Sequence, residues 1–138
     1  MNPDAMALYA AVILLVPMAG LFLSSPTFLL VGLEVPEVAQ LLRGMFNGYF
    51  LVMSVTGTVS TVLFAGAGRP VFAAGAIAVA VFAIAVRRWF LRRMDVQLQA
   101  RDAGAPTAIR QLRALHLKGM LVNAILLASV IATVPTIV

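Results

Sequence analysis

IRQLRALHLKGMLVNAILLASVI, residues 109–131, is the stretch that decides the fold. It starts basic and amphipathic, and after Lys118 it is apolar but for Asn123 and Ser129. The protein's one histidine, His116, sits where the character changes, and Asn123 follows seven residues later. Seven residues make about two helical turns, so both side chains leave on one face. The segment reads as a membrane helix rising from a basic surface.

The rest of the chain has the same character. Of its 138 residues, 62% are hydrophobic and 11% charged, with a mean hydropathy of +1.04. A soluble domain is roughly a quarter charged, so these few charges could not cover a water-exposed surface. In lipid, backbone groups must pair within a helix or a closed barrel, and long apolar runs select helices. The expectation is an all-α bundle of four transmembrane helices forming one integral membrane domain. The spans fall at about 5–29, 38–65, 70–90 and 112–133, with helices 3 and 4 extending into the cytoplasm. Cysteine is absent, which removes disulfides, thiolate metal sites and iron–sulfur clusters.

Punctuation marks the ends of these elements. Asn2-Pro3-Asp4 is a capped helix start. No cation precedes the first apolar run, so a cleaved signal peptide is not expected. Pro17 should kink helix 1, and Ser24-Ser25-Pro26 marks a second break or a bent end. Glu34 and Glu37 suit the start of helix 2. Gly66-Ala67-Gly68-Arg69-Pro70 is a turn, with Pro70 opening helix 3. In helix 2, the small residues Ser54, Thr56, Gly57, Thr58, Ser60 and Thr61 favour close helix approach, and Gly44 with Gly48 forms a GxxxG near the membrane edge.

Charge fixes an expected orientation. Four spans gather Arg43, Arg87, Arg88, Arg92, Arg93, Arg101, Arg110, Arg113 and Lys118 on one side and leave Arg69 on the other. By the positive-inside rule both termini lie outside the cytoplasm, in a bacterial inner membrane. The net charge of +5 then reads as orientation and contact with anionic headgroups, not nucleic-acid binding.

Two stretches echo each other: Leu42-Arg43-Gly44-Met45 and Leu117-Lys118-Gly119-Met120. Each opens an even-numbered helix from the same side, which would fit two parallel helix hairpins with Gly44 and Gly119 at similar depth.

Leu112-Arg113-Ala114-Leu115-His116 with Asn123 resembles the R-x-L-H-G-x-S-x-x-x-N region of the small membrane protein family known as domain of unknown function 4149, the transmembrane protein 205-like proteins. Pro26-Thr27-Phe28 and Met45-Phe46-Asn47-Gly48-Tyr49-Phe50 are similar to that family's end of helix 1 and start of helix 2. Leu117 and Gly119 stand where the family has glycine and serine, and Asn47 stands near a common proline. The resemblance implies four membrane helices and no particular reaction. In helix number and length the chain also resembles anthrone-oxygenase-like membrane proteins.

The candidate ligand-binding residues are Arg43, Asn47, His116, Lys118 and Asn123. Asn47 and His116 fall at similar depth and are expected to meet, with Glu34 or Glu37 as counter-charge to Arg43. The competing reading is interfacial anchoring or interhelical hydrogen bonding. No catalytic residues, resident metal or cofactor are expected. Haem held by His116 with Met120 is the alternative, and one histidine without cysteine is a thin ligand set. The expected role is a non-catalytic binding or accessory subunit. Its partners would be membrane helices, copies of itself, or an amphiphile whose anionic head meets Arg43, His116 and Lys118. A membrane oxidoreductase or oxygenase acting on an aromatic or quinone is the competing class. A small-molecule transporter is the third, though no acidic residue lies in helix 1 for proton coupling.

Overall fold

The computed structural model describes residues 1–137 and is built from four long helices. These are α1 (Pro3–Ser24), α2 (Pro36–Gly66), α3 (Pro70–Asp102) and α4 (Ala108–Ile137). All four are long and apolar enough to cross a membrane, which makes this an integral membrane protein. They pack in a ring, each against its two sequence neighbours, with α4 closing onto α1. Direction therefore alternates around the ring. Asp4 bonds Arg69 at 3.1 Å, which ties the N-terminus to the α2–α3 turn. At the opposite end, Arg113 donates to the Leu29 carbonyl at 3.0 Å and Arg101 to that of Leu33 at 3.4 Å. The α3–α4 end is thereby clasped to the α1–α2 connection.

The helix ends follow from local chemistry. The Asn2 side chain accepts from the Asp4 amide at 3.0 Å, and Pro3 takes the first turn, where a missing N–H costs nothing. α1 continues through Pro17 as one helix and tightens into a 3₁₀ turn, Ser25–Leu29, at the expected Ser-Pro break. Gly68 and Gly104 adopt positive φ (71° and 82°) where the chain reverses after α2 and α3. α4 begins at Ala108 and runs past Pro135 to Ile137, beyond the expected end near residue 133. Proline lacks only the bond back to the carbonyl four residues earlier, and so close to a terminus that loss is small. At 33 residues, α3 is about 50 Å long against about 30 Å of hydrocarbon, so its arginine-rich half projects from the bilayer.

In lipid both faces of a helix are apolar, so side-chain size, not hydropathy, sorts inside from outside. α1 turns Ala7, Ala10, Ala11 and Leu14 inward and leaves Tyr9, Val12 and Val16 outside. α3 likewise buries Ala73, Ala76, Ala80 and Ala83 while Ile77, Val81 and Phe82 face out. Toward the loop end the buried residues become large: Phe46, Phe50, Phe90, Met94 and Leu112. The bundle is thus alanine-packed near its termini and phenylalanine-packed near its loops.

Close approach falls on one glycine of α2. A Cβ on Gly57 would lie 2.9 Å from the Ala80 Cβ and 3.1 Å from the Ala76 carbonyl oxygen, so α2 and α3 nearly touch there. Ser60, one turn on, donates to the Ala10 carbonyl of α1 at 2.8 Å. The GxxxG of Gly44 and Gly48 takes no part: nothing lies within 4 Å of a Cβ at either position. Gly119, by contrast, is pressed against the Phe46 and Phe90 rings. The echoed glycines therefore have different surroundings, and their likeness in sequence is not matched by their packing.

Candidate functional site

Helical spacing does place His116 and Asn123 on one face of α4, and that face points into the bundle. They are 0% and 1% exposed. Burial so complete removes the reading in which water and headgroups satisfy them, and leaves interhelical hydrogen bonding. Asn123 bridges three helices. Its Nδ2 donates to the Met18 carbonyl of α1 at 2.9 Å, and its Oδ1 accepts from the Tyr49 hydroxyl of α2 at 2.7 Å. His116 Nε2 and Ser25 Oγ share a hydrogen bond at 2.7 Å, and Phe28 and Phe46 each meet the imidazole in a T-shaped contact. His116 Nδ1 is the buried side-chain nitrogen left without a partner among the described residues.

Asn47 does not meet His116. Its neighbour Phe46 takes that place, because one residue turns a helix by about 100°. Asn47 instead accepts from Arg87 of α3, at 2.9 Å from Nε and 2.7 Å from the second nitrogen. Arg43 pairs with Asp95 of α3 through two nitrogens, rather than with Glu34 or Glu37. The arginine-rich half of α3 holds two acids: Asp102 bonds its neighbour Arg101, and Asp95 reaches across to α2, a signal the sequence carried. Ser25 and Tyr49 were not among the candidates. Ser25 read as part of a helix break, and Tyr49 entered only as a member of the family-like run Met45-Phe46-Asn47-Gly48-Tyr49-Phe50.

The five candidate residues therefore divide. Asn123 and His116 are interior, Arg43 and Asn47 are engaged by α3, and Lys118 is exposed with no ion pair among the described residues. Arg43, His116 and Lys118 do not converge on a shared headgroup.

Lys118 instead stands at the edge of a groove of about 260 Å³ between α3 and α4, floored by α2. Its walls include Met53, Phe82, Trp89, Phe90, Leu121 and Leu126, and Lys118 brings the one charge. The Tyr49 ring also lines it, but its hydroxyl is spent on Asn123. Trp89 carries the Arg93 guanidinium 5.3 Å from its ring centre, so a second cation stands at the same end. No side-chain hydrogen bond or ion pair joins α3 to α4 among the described residues. The arrangement can hold an apolar body along the seam and an anion at its basic end. Three or more His, Cys, Asp or Glu side chains placed to hold a metal do not occur among the described residues.

No family model matches the chain, and neither a curated protein nor a solved structure does.

Proposed function

We propose that this protein is a non-catalytic binding subunit of a bacterial cytoplasmic membrane, with both termini on the non-cytoplasmic side. Its ligand is an anionic amphiphile held in the α3–α4 groove. One observation carries the reading: an apolar seam open between two helices, with Lys118 as its one lining charge and Trp89 beside it. A lysine at the membrane edge keeps its ammonium at headgroup level while its stem follows the apolar wall. Tryptophan favours that same depth. The nine-to-one split of cations supports the orientation. The likeness to the transmembrane protein 205-like family supports the four-helix plan and adds no reaction.

This reading narrows the headgroup contact to Lys118, since Arg43 already has its carboxylate and His116 is enclosed. Native mass spectrometry after gentle extraction tests it. A retained adduct of lipid-like mass, weakened in Lys118→Gln, is the expected result. Bare protein that takes up no added hexadecanoate would overturn it. Visible absorbance of the same sample separates the redox alternative, because a haem band would replace the amphiphile reading. Haem ligation through Nε2 would first require His116 to leave Ser25.

A further inference from the structure

The α3–α4 seam contains a second groove, of about 290 Å³, at the end away from Lys118. Val71, Phe72 and Ala76 of α3 face Val130 and Thr133 of α4 across it, and Leu14 of α1 and Phe64 of α2 close its floor. Its two hydroxyls already spend their protons within α4. Ser129 donates to the Ile125 carbonyl and Thr133 to the Val130 carbonyl, each at 2.7 Å within α4 itself. This end therefore has nothing to offer a polar head and everything to offer a tail.

The two grooves are parts of one cleft. Val79 and Leu126 line both of them, one from each helix. From Phe90 to Phe72 the helical rise is about 27 Å, close to the whole hydrocarbon thickness of about 30 Å. A tail anchored by its head at Lys118 would cross the level of Val79 and Leu126 only if it were longer than one leaflet, about 15 Å.

Resting on the amphiphile reading above, we propose that Val79 and Leu126 act as a length gauge, so that the cleft selects an amphiphile with one anionic head and one linear tail longer than a leaflet. Charge sets the direction, with the head at Lys118. Val79 and Leu126 stand where one groove meets the other, and the second groove rewards only the part of the tail that passes them. A very-long-chain carboxylate and a polyprenyl phosphate share this chemistry.

The test is a titration of the purified full chain with dodecanoate, hexadecanoate and tetracosanoate, and in parallel with short and long polyprenyl phosphates. Affinity should rise about tenfold from dodecanoate, whose extended chain stops short of Val79 and Leu126, to tetracosanoate, or from the short to the long isoprenoid. Whichever series shows the rise identifies the source of the tail. Val79→Phe should abolish the rise. Gly75→Leu is the second variant. It fills the far groove from a position where a Cβ meets nothing within 4 Å, so folding is spared, and Gly75 lines that groove alone. It should abolish the rise and leave dodecanoate binding unchanged. Affinity that ignores length in both series overturns the gauge and leaves the amphiphile reading standing. A rise that survives both substitutions also overturns the gauge. Failure to bind any of these probes overturns both.

Discussion

α3 has two neighbours, and it meets them in opposite ways. Against α2 it comes close enough for Gly57 to face Ala76 and Ala80 directly. The arginine-rich end of that seam is bolted by Phe46 on Phe90, Asn47 with Arg87 and Arg43 with Asp95. Against α4 it has no polar bond among the described residues, and the space between them is a cleft. Both seams are built from apolar helices of similar composition, so hydrophobicity does not separate them. Lipid chains are as apolar as leucine, and transfer from lipid to the protein interior gives helices little reason to associate. What separates the seams is fit. Small residues and paired polar groups hold one of them, and bulkier unpaired side chains leave the other open to a guest.

The sharpest way to break this comparison is to place the same leucine on each side of α3. Gly57→Leu should cost about 3 kcal/mol, because the added carbons have backbone in front of them. Gly75→Leu should leave stability within about 0.5 kcal/mol. Unfolding of both variants in one detergent measures this, and equal losses would mean that the two seams are alike. A smaller loss is expected from Asn123→Leu, about 1–2 kcal/mol for two interhelical bonds in a membrane setting. Tyr49→Phe should lose about half of that, and a double-mutant cycle between the two should show strong non-additivity. Smaller still is Arg43→Gln. The pair with Asp95 is partly open to solvent, so its loss should cost well under 1 kcal/mol and shrink further in high salt. At the bottom of the scale, Lys118→Gln should leave unfolding unchanged while weakening hexadecanoate binding about tenfold. A stability change there would mean that Lys118 belongs to the packing and not to the cleft.

Much of the architecture was written in the residues. Apolar runs gave four crossings, Pro26, Pro36 and Pro70 marked starts and breaks, and the shared face of His116 and Asn123 followed from their spacing. Leu91, Met94 and Leu98 share a buried face on the projecting half of α3, as their periodicity required. The partners were harder to read. Which residue of α2 meets His116 depends on helix rotation, and in lipid the apolar pattern that fixes rotation for a water-soluble helix is missing. Phe46 and Asn47 are adjacent in the chain, yet one faces the imidazole and the other faces Arg87. Asp95 was legible in principle, since an acid in the middle of an arginine-rich helix invites a partner across the seam. The cleft was not legible, because it arises from a mismatch between two helices and neither helix encodes it alone.

The arginines that reach the α1–α2 connection play two parts at different times. In the orientation proposed above, Arg101 and Arg113 count during insertion only as positive charges resisting translocation. After assembly the same guanidiniums grip the peptide oxygens of Leu33 and Leu29 from across the bundle. Lysine would serve the first part equally well. At position 101 it would serve the second poorly, because the Arg101 guanidinium holds Asp102 with two nitrogens while a third reaches the Leu33 carbonyl, a spread of donors that one ammonium lacks. A chain carrying lysine there would keep its charge count and loosen at one end. The determinants of direction and of final tightness can be pulled apart at that site without altering a single charge.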